Sequence, residues 1–138
     1  GEIKLSDSTI LKLKISTVSA RESGFSPFGG INIHVKAIGG IDTVKVPGEL
    51  SEIVKNKPLA PPEPPKDGWE IIDITEQKTA LEEIIIDTSK GKFLVRVEAE
   101  AVMASRNINY KTSFNEPIYW VNWVWKISWK PYEGGRHE

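Results

Sequence analysis

The chain has 138 residues, a formal net charge of −1 and no cysteine. A chain of this length buries enough surface to fold as one domain without disulfides, and the lack of cysteine excludes thiolate metal sites. Lysine and arginine are interspersed with aspartate and glutamate, so the charge pattern offers no basic surface for nucleic acid. No apolar run approaches the roughly 18 residues that a membrane-spanning helix needs, and we expect no membrane insertion.

The first residues differ in kind from those that follow. Glu2–Ser6 alternates between polar and apolar residues like a strand, and Asp7-Ser8 interrupts the pattern before the next run begins at Ile10. A short terminal strand of this kind pairs with its own sheet or with the open edge of another subunit. The sequence therefore predicts a strand extension, residues 1–8, followed by a single domain, residues 9–138.

Alternating runs of apolar and polar residues predict a series of strands in the next part of the chain. In the run Ile10–Val18, Leu11, Leu13 and Ile15 alternate with polar residues. The odd residues of Ile31–Ile38 are likewise apolar, and a turn-rich loop, Gly24–Gly30, separates the two runs. Gly39-Gly40 is predicted to end the second run before a further strand, Ile41–Val46. Since each run is apolar on one face only, we expect antiparallel sheets.

Three segments in the middle of the chain depart from the strand pattern. Glu49–Asn56 has apolar residues at helical spacing and predicts one or two helical turns, whereas Thr75–Glu83 fits a strand and a helix equally well. Pro58–Pro65 holds five of the nine prolines and is predicted to run extended over the surface. None of these segments changes the predicted all-β class, a sandwich or a barrel.

The longest inner strand is predicted after a hairpin. Leu81–Ile86 leads through a turn at Asp87–Gly91 into a strand that runs from Phe93 to Ala104. Alternate residues from Phe93 to Met103 are predicted to face inward, with the charged residues between them facing outward.

The last predicted strand, Tyr119–Trp129, carries four of the five tryptophans. Its odd-numbered residues are all apolar, so we expect them to pack in the core, which is favoured over a sugar-stacking surface. Trp120 lies on the opposite face and is the tryptophan expected to be exposed.

Catalytic motifs are weak in this sequence. His34 falls on the polar side of a predicted strand and His137 in a glycine-rich tail, so histidine catalysis has little support. Glu98 and Glu100 share one strand face, as a pair of glycosidase carboxylates would, but they alternate with Arg96 and are better explained as a solvated charged face. We therefore expect no enzyme.

Calcium is the favoured ion, because the chain offers carboxylates, amides and loop carbonyls but almost no imidazole. The sequence lacks an Asp-x-Asp-x-Asp-Gly loop, so calcium within one chain has no motif behind it, whereas a site assembled between subunits would leave no local motif. The alternative is that these carboxylates only keep the surface soluble. The candidate ligands are acidic residues spread over the second half of the chain: Asp67, Asp73, Asp87, Glu98 and Glu100.

Three runs and the short N-terminal strand together resemble the subunits of archaeal cannulae, the hollow extracellular tubes of hyperthermophiles. The runs are Gly24–Asn32 (GFSPFGGIN), Pro61–Glu70 (PPEPPKDGWE) and Tyr119–Trp123 (YWVNW). The resemblance covers nearly the whole chain. It implies a jelly-roll-like β-sandwich, secretion with removal of a signal peptide, donation of the N-terminal strand to a neighbouring subunit, and assembly promoted by calcium.

The resulting hypothesis is an extracellular structural protein that forms a homopolymer. Ile3 and Leu5 are predicted to insert into a groove of the next subunit. The alternative hypothesis is a carbohydrate-binding β-sandwich module in which Trp120 stacks on a sugar.

Overall fold

The computed structural model describes residues 1–25, 27 and 30–133, and in these ranges the chain forms eight strands and one short helix. The elements in chain order are β1 (Glu2–Leu5), β2 (Ile10–Glu22), β3 (Ile33–Lys45), α1 (Gly48–Val54), β4 (Trp69–Ile72), β5 (Ile74–Lys78), β6 (Ala80–Thr88), β7 (Gly91–Asn107) and β8 (Ile118–Pro131). Three residues of the predicted loop Gly24–Gly30 lie outside the described residues: Ser26, Phe28 and Gly29. His137 also lies outside them.

Two sheets of antiparallel strands pack against each other, which confirms the predicted all-β antiparallel sandwich. The first sheet has the order β3-β2-β1-β5. In the second sheet β7 is central, with β8 along one side and β6 and then β4 along the other. Most pairs of neighbouring strands are consecutive in the chain, and the jelly-roll-like connectivity implied by the resemblance stays a prediction.

The core lies between the sheets in two adjoining clusters of apolar side chains. In the first cluster, residues of β1 and β2 pack against the second half of β7 and the start of β8; its members include Ile3, Leu5, Leu11, Leu13, Ala99, Ala101, Ala104, Tyr119 and Val121. In the second, the start of β3 packs against the first half of β7; its members are Ile31, Ile33, Phe93, Val95 and Val97. The first cluster therefore depends on the N-terminal strand.

The chain crosses from the second sheet to the first and back between β4 and β6. Ile72 pairs with Ala104 and Ala80 with Ala99, so a gap is left along β7 opposite Ala101. The side chain of Gln77, on β5, fills that gap. Its Nε2 donates to the Ala101 carbonyl at 2.7 Å, and its Oε1 accepts from the Ala101 N–H at 3.0 Å. One side-chain amide thus replaces a peptide group of the missing strand.

One lateral side of the sandwich is closed by carboxylates. β1 covers only the start of β2, residues 10–12, and the rest of that edge of β2 lies beside β6. Glu82 Oε1 accepts from the Thr17 N–H at 2.6 Å. Farther along, Glu22 accepts from the N–H and the hydroxyl of Ser89 at 2.9 and 2.5 Å. These bonds join the two sheets where no backbone ladder does.

The opposite lateral side lies between the edge strands β3 and β8. Gly39 faces Trp123 there, and a Cβ on Gly39 would stand 3.1 Å from the Trp123 ring. The prediction that Gly39-Gly40 ends a strand is wrong, because β3 continues through both residues. Gly39 serves instead to make room for the indole.

Two predictions of burial also need correction. A β-bulge between Ala101 and Met103 shifts the alternation of β7, so that Ala104 is buried and Met103 is exposed. On β8 the predicted inward face is buried only at Tyr119 and Val121. Trp125 and Ile127 remain 36% and 38% exposed, whereas Trp129, beyond them, is half-buried against the second cluster.

The middle of the chain contains the short helix and two further strands. Glu49–Asn56 contains the predicted helical turns as α1, and Thr75–Glu83 is strand rather than helix. Pro58–Pro65 forms no strand and makes one isolated bridge, between Leu59 and Lys111. No helix in the described part of the chain is long and apolar enough to cross a membrane.

Candidate functional site

β1 occupies an interior position in the first sheet, between β2 and β5. Ile3 pairs with Leu11 on one side and with Gln77 on the other. The side chains of Ile3 and Leu5 are 0% and 3% exposed. The two residues predicted to insert into a neighbouring subunit therefore lie in their own chain, in the slot between β2 and β5. In this closed form, residues 1–8 are part of the domain.

The chain terminus itself extends the slot. The Gly1 ammonium donates to the Leu13 carbonyl at 2.9 Å, and the Leu13 N–H donates to the Gly1 carbonyl at 3.0 Å. Burial lowers the pKa of this ammonium, and Lys12 and Lys78 lower it further. The pairing with β2 therefore begins at the first residue.

A tight turn joins β1 to β2. The Leu5 N–H donates to the Thr9 carbonyl at 2.9 Å, and the Ser8 N–H donates to the Leu5 carbonyl at 3.0 Å. Ser8 has a φ of 71°, in the left-handed region that is unfavourable for any residue with a side chain. This turn, residues 6–9, is the hinge of the terminal strand, and it is short and strained.

Asp7 anchors this hinge to the second sheet. One of its carboxylate oxygens accepts from the Thr9 N–H at 2.9 Å. The other accepts from Arg106 Nη1 and from the Tyr119 hydroxyl, each at 2.9 Å. Arg106 also donates to Glu70 at 2.8 Å. Asp7 therefore ties the turn to the second sheet. Residues 1–6 are held by the slot, by the bonds of Leu5 within the turn, and by the Ser6 N–H, which donates to the Asp73 carbonyl.

Burial and hydrogen bonding shift the pKa values of Asp7 and Tyr119 in this anchor. Burial alone would raise the pKa of Asp7, but the hydrogen bonds from Thr9, Tyr119 and Arg106 outweigh it, and the pKa lies below its usual value. Burial raises the pKa of the Tyr119 hydroxyl, which stays protonated and donates to Asp7. The Thr9 hydroxyl, 2.7 Å away, then donates to the Tyr119 oxygen.

The five predicted calcium ligands are not brought together within one chain. Among the described residues no three or more of the acidic and histidine side chains form a group that would hold a metal ion. Asp87 pairs with Lys92 at 2.8 Å, and Glu100 pairs with Lys126. Asp67 lies at the turn before β4, where its carbonyl accepts from Asn107. Asp73 is exposed and adjoins the hinge.

Glu98 and Glu100 lie on the outer face of β7, as predicted. Glu98 accepts a hydrogen bond from the Thr79 hydroxyl at 2.6 Å. Lys126, opposite on β8, forms its ion pair with Glu100, and this contact raises the pKa of Lys126. His34 is exposed on β3, which agrees with the interpretation of this histidine as a surface residue.

A second concave site lies on the outer face of the second sheet. Its two tryptophans, Trp69 and Trp120, meet edge to face with ring centroids 6.3 Å apart. Trp69 donates its indole N–H to the Pro65 carbonyl at 2.7 Å, which holds the proline segment beside the groove. The groove has a volume of about 330 Å³; its lining residues are Pro64, Pro65, Trp69, Met103, Ser105, Trp120 and Asn122.

Trp120 is 48% exposed, in agreement with its predicted position. The sequence did not indicate Trp69 as its partner, because Trp69 is far away in the chain and the pairing depends on how β4 and β8 flank β7. Comparison with known proteins gives no match to a family model, a curated protein or a solved structure. The resemblance to cannula subunits stays a prediction.

Proposed function

We propose that the protein is a secreted structural subunit that assembles with copies of itself by exchanging β1. In the closed form, residues 1–6 fill the slot between β2 and β5 of their own chain. In the assembled form, the same residues fill the slot of the next subunit. The observation that carries the proposal is the position of β1: a four-residue strand at the end of the chain completes an interior position of a sheet and contributes Ile3 and Leu5 to the core.

The exchange conserves the contacts of the slot, because the same side chains meet the same partners in both forms. The difference in free energy between the two forms then depends on the hinge. A short hinge under strain favours exchange, and the positive φ of Ser8 is such a strain. Thr9 would stay with its own domain through its hydrogen bond to Tyr119, and the turn would open at Ser8, which releases the strain.

Head-to-tail exchange of this kind propagates. Each subunit gives its strand to the next subunit and receives one from the previous subunit, so the contact is heterologous. Such a contact builds a filament, or a tube or ring if the rotation between subunits closes it. Calcium fits this proposal as an ion held between subunits. Asp73 is the candidate ligand beside the hinge, where the donated strand of one subunit would enter the next.

The hinge offers a direct test of the proposal. Replacing Ser8 by glycine removes the conformational strain without shortening the turn, so we expect a larger fraction of monomer in size-exclusion chromatography with light scattering. Deleting Ser8 should do the reverse, because the shortened turn no longer closes, and negative-stain microscopy should then show longer assemblies.

The chain contains a matched control for this test. In the turn before β8, the Thr112 N–H donates to the Glu116 carbonyl, the Asn115 N–H donates to the Thr112 carbonyl, and Asn115 has a φ of 63°. This turn repeats the bonding of the hinge but lies outside β1. Asn115→Gly should leave the monomer fraction unchanged. A Ser8 deletion variant that remained monomeric would contradict exchange.

A second candidate function is carbohydrate binding at the groove beside Trp120. The specific observation that favours it is an open groove in which two indoles lie beside the polar side chains of Ser105 and Asn122, the combination of apolar and hydrogen-bonding groups typical of small-ligand sites.

Native gel electrophoresis in the presence of hydroxyethylcellulose or laminarin tests this second function. Binding would retard the protein, and Trp120→Ala should abolish the retardation. Phe114→Ala, which removes an exposed aromatic ring outside the groove, should not. Mobility that neither polysaccharide changes would count against this function for the two glucans.

A further inference from the structure

Three of the four sheet edges carry charged side chains that discourage pairing with another strand. The edges differ in length, but each of these three carries two or three charged side chains within 5 to 13 residues. The charged residues are Lys36, Asp42 and Lys45 on β3, Glu76 and Lys78 on β5, and Glu82, Glu83 and Asp87 on β6.

β8 is the exception among the edges. It pairs with β7 over its whole length, and no other strand in the described parts of the chain pairs with it. From Ile118 to Trp125 it carries no charge, and the strand has only two charged residues, Lys126 and Lys130. Its exposed apolar residues lie on both faces: Trp120 and Val124 on the outer face, Trp125 and Ile127 on the inner.

The backbone groups at this edge belong to the odd-numbered residues. The Tyr132 N–H donates to the Lys92 carbonyl at 2.8 Å. Because hydrogen bonding alternates along an antiparallel ladder, the even residues from 124 to 130 direct their backbone groups to β7. Trp125, Ile127 and Trp129 therefore direct theirs away from β7, where another strand can pair with them.

We infer that β8 pairs with β8 of a second copy of this chain, antiparallel and about a twofold axis at Val124. Such a contact is isologous, so each strand meets its own sequence. In this register, Trp123 of one copy faces Trp125 of the other, on the side where Trp125 is left uncovered. Aromatic cross-strand pairs of this kind stabilise a sheet.

Charge permits this register, and a second copy fits as the occupant because its own β8 sets Trp123 against Trp125 without bringing two lysines together. With the axis at Val124, Lys126 faces Asn122 of the second copy, and Lys130 faces Ile118. With the axis two residues farther on, Lys126 would face its own equivalent, and this repulsion opposes that register. The pairing does not depend on the exchange of β1, which belongs to the other sheet.

A single cysteine tests the pairing, because the chain has none of its own. The backbone of Val124 points to β7, so the Val124 pair between copies is a non-hydrogen-bonded one with Cα atoms about 4.5 Å apart. That distance suits a disulfide. Val124→Cys should therefore give a covalent dimer on mild oxidation, through a disulfide between the two Val124→Cys positions.

Val44→Cys, at an exposed position on β3, is the control and should not form the dimer. As a second measurement, Val124→Lys places two ammonium groups against each other and should dissociate the pair in light scattering, whereas Val44→Lys should not. A Val124→Cys protein that remained monomeric on oxidation would overturn the inference. Dissociation by Val124→Lys without a Val124→Cys dimer would also overturn it, because β8 would then have a different partner or register.

Discussion

At the scale of single residues, two polar side chains hold together parts of the chain that backbone hydrogen bonds do not join. Gln77 supplies the bonds that β4 and β6 leave open opposite Ala101. Asp7 ties the hinge of β1 to Arg106 and Tyr119 on the second sheet. Each forms hydrogen bonds with polar groups that would otherwise lack a partner, and a buried polar group without a partner lowers stability.

Replacing Gln77 by leucine should lower the free energy of unfolding by about 1–3 kcal/mol, because the N–H and the carbonyl of Ala101 lose their partners. Urea unfolding followed by circular dichroism measures the change. The neighbouring Glu76→Gln variant is the control, since it weakens only an exposed ion pair with Lys4, worth less than about 1 kcal/mol. Equal stability of the two variants would show that Gln77 is dispensable.

Asp7 should make the stability of the protein depend on pH. The pKa of Asp7 in the folded protein lies below its unfolded value, about 3.9, because hydrogen bonds outweigh the effect of burial. The stabilisation is therefore complete above about pH 5 and is lost as the pH falls through the folded pKa. Asp7→Asn should be less stable than the native protein at neutral pH and should approach it in acid. Parallel unfolding curves at every pH would contradict this role.

At the scale of strands, the local pattern of the sequence predicts most elements correctly. Alternation located β2, β7 and β8, and helical spacing located α1, because these signals arise from neighbouring residues. The hairpin between β6 and β7 follows from a turn-forming sequence, and Gly91 has a φ of 101° there. The terminal strand was predicted as well, but its pairing within the chain was not decided by its sequence.

The errors occur where distant parts of the chain determine the local structure. Gly39 was predicted to end a strand because glycine favours turns, but its role is set by Trp123 on another sheet. Met103 is exposed because of the bulge in β7, which shifts the alternation by one residue. Trp125 was expected in the core, yet burial of an edge strand depends on the extent of the opposite sheet. None of these effects leaves a signal in the local sequence.

The two glycines of β3 provide a test of this explanation. A methyl group at residue 39 would lie 3.1 Å from the Trp123 ring and 3.3 Å from the Lys14 carbonyl, so Gly39→Ala should destabilise the protein by about 1–3 kcal/mol. At Gly40 the same atom meets nothing within 4 Å, and Gly40→Ala should be neutral or slightly stabilising. Thermal unfolding of the two variants measures the difference. Equal melting temperatures would mean that the indole does not restrict residue 39.

At the scale of the whole molecule, the two proposed contacts lie in different sheets. Exchange of β1 joins subunits through the first sheet, and pairing of β8 joins them through the second. The first contact propagates from subunit to subunit, whereas the second closes on itself after two copies. Together the two contacts would link one row of subunits to a second row beside it, a suitable arrangement for a filament or a tube wall.

Assembly should depend on calcium if carboxylates of adjacent subunits share the ion. Light scattering should rise on addition of calcium and fall with excess chelator, since an ion bound only between subunits stabilises the assembled state by mass action. Magnesium should substitute poorly, because it requires a tight octahedral site. Asp73→Asn should weaken the response to calcium, and Asp42→Asn, which changes an exposed carboxylate on β3 that is not among the candidate ligands, serves as the control. Assembly that proceeds equally in chelator would contradict a role for calcium.

The exchange of β1 is tested most directly by a disulfide between β1 and β2. Gly1 and Leu13 exchange both backbone hydrogen bonds, so the next pair, Glu2 and Lys12, is a non-hydrogen-bonded pair with Cα atoms about 4.5 Å apart, within the range of a disulfide. The double variant Glu2→Cys with Lys12→Cys is assembled under reducing conditions, oxidised, and separated on a denaturing gel without reductant. Exchange predicts a ladder of covalent multimers that collapses on reduction and is absent from either single variant. Assemblies that yield only cross-linked monomers would contradict it, because β1 would then lie in its own subunit.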